Sequence, residues 1–246
     1  MTAGAAMRMS VAALAVLLVS VAATAAPSDP DAACFGNGKI SLSARAEACT
    51  AMLQRPLLLP QQKFAATMIR GQAFFAQRQF PRAIADFTAA IALDPQSTEA
   101  WSARGSVYDT LGDFPRAQHD VSAALRLAPN DPGLLNNSCW THLGKREFAA
   151  ALADCNRALA ISPHSLQALD SRGLANFLMR RYPQALADYN AALSINPRHA
   201  PSLYVRGIIR RKNGDLAGGS ADMREAGKIN PEISEYLAHY GLADAN

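Results

Sequence analysis

The sequence predicts an all-α superhelical solenoid built from five helix-turn-helix repeats. Five prolines lie 34 residues apart without drift, and a fixed period of this length is typical of one supersecondary unit stacked on copies of itself. Small residues recur at the same period, which indicates helices that approach each other closely. The proline column is Pro95, Pro129, Pro163, Pro197 and Pro231. Such a repeat favours a binding surface shared between units over a single catalytic cluster.

The first 25 residues are expected to be a cleaved export signal. Arg8 precedes an uncharged apolar run over residues 9–23, and the small-residue triplet at 23–25 offers a cleavage site. The run is shorter than the ~20 residues of a membrane-spanning helix, so a membrane anchor is the less favoured alternative. We therefore predict a periplasmic or secreted protein, cleaved near Ala25, with no membrane span in the mature chain.

Residues 26–63 are expected to form an N-terminal strap and a capping helix. The segment SLSARAEACTAML at 41–53 has the small and apolar pattern of a second repeat helix that lacks a full partner. A similar partial unit follows the last repeat at residues 234–246, where Leu237 and Gly241 restart the repeat pattern before the chain ends. We predict a C-terminal capping helix there, because the last repeat needs an apolar face to pack against.

The five repeats are predicted at 64–97, 98–131, 132–165, 166–199 and 200–233. Pro81, Pro115 and Pro183 stand where they can open the second helix of a repeat, since the first turn of a helix does not need their missing N–H. The prolines of the 34-residue column follow the second helix and end it, because the residue before a proline is pushed out of the helical region. Both ends of the unit are thereby specified.

These windows resemble tetratricopeptide repeats over residues 64–233. In the second repeat the signature positions of that family are occupied by Trp101, Gly105, Tyr108, Ala117, Ala124 and Pro129. The departures from the family pattern are Cys139 and His142 in the third repeat, Asn176 in the fourth, and Arg210 and Gly219 in the fifth. The resemblance implies a right-handed superhelix that binds a protein or peptide partner.

The four cysteines are predicted to form two disulfide bonds if the protein is exported. Cys139 and Cys155 lie at equal distances from the turn of the third repeat and can face each other. Cys34 and Cys49 flank a turn-like Gly-Asn-Gly segment and could fasten the strap to the capping helix. Each bond would close a loop of roughly 15 residues and stabilise the fold by roughly 3 kcal/mol. Four free thiols in a reducing compartment are the alternative.

A column of aspartates and a column of arginines follow the repeat. They are Asp86, Asp120, Asp154, Asp188 and Asp222, with Arg70, Arg104, Arg172 and Arg206 and with Ser138 in the place of the fifth arginine. We interpret them as structural pairs between packed helices, because an arginine fork fits a carboxylate. Pairing within one repeat would leave Asp154 without an arginine, and pairing with the following repeat would leave Asp120 without one. A metal site is not predicted, since the columns do not converge on a point.

No catalytic set is evident in the sequence. The five histidines show no zinc-ligand spacing, and the chain has no glycine-rich phosphate loop and no nucleophile elbow. We therefore predict a protein that is not an enzyme and needs no cofactor or metal. A basic cluster at residues 180–181 and 210–212 is interpreted as solvated surface, with an acidic protein segment or an anionic envelope surface as alternative contacts. The net charge of +4 is too mild to indicate a nucleic-acid partner.

The resemblance also implies where a partner would bind, because the first helices of tetratricopeptide repeats line a concave surface. The predicted groove residues are Asn136, Trp140, Leu143, Asp170, Leu174, Phe177, Tyr204, Ile208 and Arg211. This face is apolar from Trp140 onward. An apolar face marks either a partner site or a surface that the protein covers itself, through a narrow superhelix or the N-terminal strap.

The expected function is a non-catalytic protein–protein interaction scaffold or adaptor of the cell envelope that binds a protein or peptide segment in this groove. One alternative is a structural subunit of a larger envelope assembly that acts through its convex face or its ends. Another is an accessory subunit of an envelope hydrolase. The sequence leaves homo-oligomerisation open.

Overall fold

The computed structural model describes residues 29–36 and 39–237, and all regular elements in these ranges are α-helices. The predicted signal peptide of residues 1–25 and its cleavage site near Ala25 lie outside the described residues. Most of the predicted C-terminal cap, residues 238–246, also lies outside them. None of the helices in the described ranges combines the length and the apolar character needed to cross a membrane.

The described chain folds into thirteen helices that pack in sequence order. Two helices, α1 (Pro30–Phe35) and α2 (Leu42–Leu53), precede the repeats, and one short helix, α13 (Ile233–Leu237), follows them. The five pairs between them are α3 (Pro60–Ala76) with α4 (Phe80–Leu93), α5 (Thr98–Thr110) with α6 (Phe114–Leu127), α7 (Pro132–Gly144) with α8 (Phe148–Ile161), α9 (Leu166–Leu178) with α10 (Tyr182–Ile195), and α11 (Ala200–Lys212) with α12 (Leu216–Ile229). Each helix contacts the next one along the chain. The predicted all-α repeat solenoid is confirmed.

Local capping explains where the helices begin. The side chains of Ser97, Asp131 and Ser165 precede α5, α7 and α9, and each accepts a hydrogen bond from a backbone N–H in the first helical turn. Prolines stand in the first turn of α4, α6 and α10, as the sequence predicts. Each second helix ends two residues before a proline of the 34-residue column.

The turn between the two helices of a repeat contains a residue in the left-handed region. In the first repeat the N–H of Gln79 donates to the carbonyl of Phe74 at 2.8 Å, and the N–H of Arg78 donates to that of Phe75 at 2.9 Å. These two bonds form a Schellman motif, which ends the first helix and reverses the chain. The left-handed residues at this position are Arg78 (φ 59°), Gly112 (73°), Arg146 (62°), Arg180 (59°) and Gly214 (91°).

Glycine sets the close crossing of α11 and α12 in the fifth repeat. A Cβ on Gly207 would lie 2.7 Å from the carbonyl oxygen of Gly219, and a Cβ on Gly219 would lie 2.5 Å from the carbonyl oxygen of Gly207. Neither position can hold a larger residue while the two backbones stay this close. Gly219, which replaces the alanine of the other repeats, therefore permits this close crossing.

Four arginines join the two helices of their own repeat. Arg104 in α5 donates from Nε and Nη2 to the two carboxylate oxygens of Asp120 in α6, at 2.8 and 2.9 Å. The hydrogen bond with Asp120 raises the pKa of Arg104, and the Asp120 side chain is 1% exposed. The same pairing joins Arg70 to Asp86, Arg172 to Asp188 and Arg206 to Asp222. Of the two predicted pairings, the structure selects the one within a repeat.

The arginines also connect each repeat to the one before it. Arg104 Nη1 donates to Thr88 in α4 at 3.0 Å, and Arg172 Nη1 donates to Asn156 in α8 at 3.1 Å. The third repeat lacks this connection, because Ser138 replaces the arginine and donates to Asp154 at 2.6 Å. In most repeats the column arginine thus connects three helices through its guanidinium. In the third repeat the hydroxyl of Ser138 connects only two.

Both predicted disulfide bonds are present. Cys34–Cys49 joins α1 to α2, and Cys139–Cys155 joins α7 to α8 within the third repeat. All four residues are fully buried. The predicted strap thus contains a short helix that is covalently fixed to the capping helix, and Arg45 in α2 adds a hydrogen bond of 2.8 Å to the carbonyl of Gly36.

Candidate functional site

The first helices of neighbouring repeats pack side by side and form one continuous face. Contacts join α3 to α5, α5 to α7, α7 to α9 and α9 to α11, whereas the second helices of neighbouring repeats approach each other less closely. A stack of helix pairs curves toward the side on which its helices are closer together. The first helices therefore form the inner face of the solenoid.

The predicted groove residues divide by their exposure. Leu143, Leu174, Phe177 and Ile208 are between 0% and 8% exposed and belong to the core that the last three repeats share. Their side chains fill the gaps between neighbouring first helices, whose axes in packed pairs lie about 8–10 Å apart. In the free protein these four residues stabilise the stack and have almost no accessible surface. The predicted residues that keep accessible surface are Asn136, Trp140, Asp170, Tyr204 and Arg211.

Two aromatic side chains remain half-buried on the inner face. Trp140 in α7 and Tyr204 in α11 pack against the shared core with part of their surface while the rest is accessible. An aromatic ring held in this way loses little conformational entropy when a ligand covers it. Trp140 is therefore a suitable anchor for a bound chain.

A polar cleft of about 320 Å³ lies at the N-terminal parts of α5, α7 and α9, and it includes Asn136, one helical turn from Trp140. Asn137 Nδ2 in α7 donates to Ser102 Oγ in α5 at 2.9 Å and closes the floor of the cleft between the second and third repeats. Asn136 also lines the cleft, and its Oδ1 is buried without a hydrogen-bond partner in the described part of the chain. The lining comes from Thr98, Glu99, Ser102, Asp131, Gly133, Leu134, Asn136, Asn137, Ser165 and Gln167.

Asp109 lies at the far end of α5 on the same face. Thr141 Oγ1 in α7 donates to Asp109 Oδ2 at 2.8 Å, while Asp109 Oδ1 is buried and has no partner among the described residues. Burial raises the pKa of Asp109 to about 6, and the hydrogen bond from Thr141 opposes part of that rise. The Asp109 carboxyl thus becomes protonated under mildly acidic conditions.

The largely buried carboxyl of Asp170, whose side chain is 16% exposed, joins the fourth and fifth repeats. Ser202 Oγ donates to Asp170 Oδ1 at 2.7 Å, and His199 Nδ1 lies 2.8 Å from the same hydroxyl. Burial raises the pKa of Asp170, while His199 and Ser202 oppose the rise. The three residue types are those of a hydrolase triad, but their order is different, because here the serine lies between the acid and the histidine. Ser202 is fully buried and donates to the carboxylate, so this cluster holds two repeats together.

The sequence had predicted only part of this face. Asn137, Thr141, Ser202 and His199 were not among the predicted groove residues, although Asn137 and Thr141 each reach the preceding repeat. The available signal was the spacing: inter-repeat bonds on the inner face join residues 32 or 35 positions apart. Equivalent positions of neighbouring first helices are 34 residues apart. A side chain that reaches one or two positions past the equivalent one therefore bonds a residue 35 or 32 positions away.

Comparison with known proteins identifies the repeat. The family profile described as "Tetratricopeptide repeat" matches residues 70–132 and 102–165. A search of curated proteins finds no match.

Solved structures share the fold at low sequence identity. YrrB, described as "a TPR protein with an unusual peptide-binding site", is 18% identical over 82% of this chain and 100% of its own, with a TM-score of 0.52. TTC0263, a TPR protein of Thermus thermophilus, is 18% identical over 73% and 98%, with a TM-score of 0.62. PilW, a type IV pilus biogenesis factor, is 19% identical over 74% and 88%, with a TM-score of 0.63.

Proposed function

Because this chain is a tetratricopeptide-repeat protein, we propose that it is a non-catalytic scaffold of the cell envelope that binds an extended segment of a partner protein along its inner face. The proposed site comprises the polar cleft between the second and third repeats and the aromatic residues Trp140 and Tyr204. The four buried apolar residues of the predicted groove are not part of it.

The observation that carries the proposal is the position of Asn136 next to Trp140. The two residues are four positions apart in α7, so they lie on the same side of the helix. The Oδ1 of Asn136 is buried without a partner in the described structure, and a buried acceptor left without a hydrogen bond destabilises the free protein. A rotation of the Asn136 amide toward the cleft would bring this acceptor within reach of the backbone N–H groups of an extended peptide, while one of the peptide's side chains covers the Trp140 ring.

Two features support the envelope as the location. The two buried disulfide bonds suit an oxidising compartment, because cytosolic thiols are kept reduced. The apolar run over residues 9–23 has the length and flanking charge of an export signal. The peptide-binding site ascribed to YrrB adds a precedent for peptide recognition on this fold.

Selection from a phage-displayed peptide library on the purified full chain tests the proposal. We expect selected peptides to bind Trp140→Ala at least about tenfold more weakly than wild type, because buried aromatic anchors dominate such contacts. Trp101→Ala is the matched control, since Trp101 is also half-buried but belongs to the preceding repeat, where it donates its indole N–H to the carbonyl of Pro95 at 3.0 Å. Both variants are checked for folding by circular dichroism. Equal binding by wild type and Trp140→Ala would refute the assigned site.

The chain also offers an internal reporter. It has two tryptophans, so Trp101→Phe leaves Trp140 as the sole tryptophan. A peptide that covers the ring should shift its emission, and the shift should saturate at the same concentrations as binding. Saturable binding without any change in emission would place the peptide elsewhere on the protein.

A further inference from the structure

The turns inside the five repeats form one edge of the solenoid, which we call the turn edge. It comprises residues 77–80, 111–114, 145–148, 179–182 and 213–216. Because the turns recur at equivalent positions in stacked repeats, neighbouring turns are spaced roughly one helix packing distance apart, about 10 Å. The turn edge is separate from the inner face and from the proposed peptide site.

The turn edge holds three arginines in a conformation that disfavours them. Arg78, Arg146 and Arg180 have φ between 59° and 62°, and they are the only non-glycine residues with positive φ in the described chain. The same position is glycine in the second and fifth repeats, where no Cβ opposes the left-handed backbone. The turn itself therefore favours glycine, and an arginine in three of five repeats needs another reason. Local strain of this kind is often retained where a side chain serves a function.

These arginines are exposed and are not neutralised by neighbours. Two acidic residues of the turn edge are matched to bases, since Asp113 pairs with Arg116 and Glu147 pairs with Lys145 at 2.9 Å. Asp215 lies 3.9 Å from Arg210, which also pairs with Asp222 at 3.0 Å. The cations on or beside the edge that make no ion pair within the described residues are Arg78, Arg146, Arg180, Arg181, Arg211 and Lys212. Cations without an ion pair therefore lie at the turns of the first, third and fourth repeats and beside the turn of the fifth.

Exposed apolar side chains stand between the arginines. Leu111 is 48% exposed and Leu216 is 62% exposed, and both lie in the turns whose left-handed residue is glycine. The aromatic residues of the edge are partly buried, and Phe80 and Tyr182 pack against the rings of Phe75 and Phe177. Nucleic-acid binding would use exposed aromatic rings for stacking, so this composition does not favour it.

We propose that the turn edge binds the surface of an anionic lipid bilayer. Arg78, Arg146 and Arg180 occupy equivalent positions in the first, third and fourth turns of one edge, so a negatively charged plane can contact them together. The two leucines match the boundary between headgroups and acyl chains, and the arginines match the lipid phosphates. The inner face then remains open to a partner, so the proposed peptide site and the lipid contact can operate together.

Vesicle co-sedimentation of the full chain tests this inference. The probes are vesicles of phosphatidylcholine alone and vesicles of phosphatidylcholine mixed with phosphatidylglycerol. The test variant is Arg78→Gly/Arg146→Gly/Arg180→Gly, which introduces the residue that the other two turns already use and should fold at least as well as wild type. The control variant is Arg126→Gln/Arg198→Gln/Arg224→Gln, which removes the same charge from exposed positions away from the turn edge.

Wild type should bind the phosphatidylglycerol vesicles, and binding should weaken as salt is raised. Each arginine near an anionic surface changes partitioning by about fivefold, so the turn-edge variant should lose about 100-fold while the control stays close to wild type. Equal losses in the two variants would show that only net charge matters and would overturn the proposal. Equal binding of all three proteins to neutral vesicles would assign the contact to the apolar N-terminal run. Displacement by inorganic phosphate or an acidic peptide would show that the turn edge binds a soluble anion. Either result would also overturn the proposal.

Discussion

Replacement of Asp109 by asparagine should make the protein more stable at neutral pH. Asp109 Oδ1 is buried without a partner among the described residues, and the single bond from Thr141 to Oδ2 does not offset the loss of hydration. Asparagine has the same shape and can still accept the hydrogen bond from Thr141, but it carries no charge to desolvate. The substitution therefore removes the desolvated charge and keeps the bond from Thr141, although its NH2 group lies at the unpartnered Oδ1 position and offsets part of the gain.

The magnitude follows from the pKa of Asp109. Burial raises it from 3.8 to about 6, so the folded protein binds a proton more tightly than the unfolded chain does. The free energy of unfolding is therefore unaffected below about pH 4, falls as pH rises to about 6, and is constant above that. A rise of about two units corresponds to at most about 3 kcal/mol. Because part of the carboxyl reaches solvent, we expect Asp109→Asn to gain about 1–3 kcal/mol at neutral pH.

Urea unfolding followed by circular dichroism measures this gain at about pH 4 and about pH 7.5. Asp113→Asn is the matched control, because Asp113 lies at the surface and Arg116 holds its pKa below the usual value. That control should lose a little stability at neutral pH and none in acid, which is the opposite sign. The reasoning is refuted if Asp109→Asn is no more stable than wild type at neutral pH, or if its gain is as large in acid.

Two further substitutions test the packing. Arg104→Ala should destabilise the protein by about 3–5 kcal/mol in thermal or urea unfolding, because it leaves the buried Asp120 carboxylate without its partner. Arg116→Ala should change little, and a similar loss there would contradict this assignment. Gly207→Ala should destabilise by about 1–3 kcal/mol through overpacking. Gly227→Ala is the control, because a Cβ at this position in α12 meets no atom within 4 Å. It should stabilise the protein by about 0.5–1 kcal/mol, since alanine favours a helix interior over glycine. A gain in stability from both glycine variants would show that the α11–α12 crossing can relax.

The fold could be predicted from the sequence because its determinants are local and repeated. A proline ends each second helix in the five windows, and the small residues of each window fix how closely its two helices pack. The disulfide of the third repeat could be predicted for the same reason. Cys139 and Cys155 are equidistant from their turn, and antiparallel helices bring such residues together.

The inner face was harder to predict, because exposure there depends on the distance between repeats. Leu174 and Ile208 occupy, in the fourth and fifth repeats, the position that Trp140 occupies in the third. An isolated repeat would expose the residue at this position. Packing against the next first helix buries the aliphatic residues completely, while the larger Trp140 keeps an accessible edge. The periodicity gives the direction of a side chain from its own helix, but the curvature of the stack decides what covers it.

The third repeat shows how the solenoid tolerates a change in its regular bonds. Loss of the column arginine at Ser138 removes both the bidentate bond to Asp154 and the reach to the preceding repeat. The disulfide next to Ser138 supplies the first of these connections covalently. The second is supplied on the inner face, where Asn137 and Thr141 bond to the preceding repeat at 2.9 and 2.8 Å. Inner-face bonds are not confined to this junction, because Ser202 bonds to Asp170 where Arg206 also reaches the preceding repeat. At the third repeat they are the bonds that remain when the column arginine is lost, and they place polar side chains next to the cleft of the proposed site.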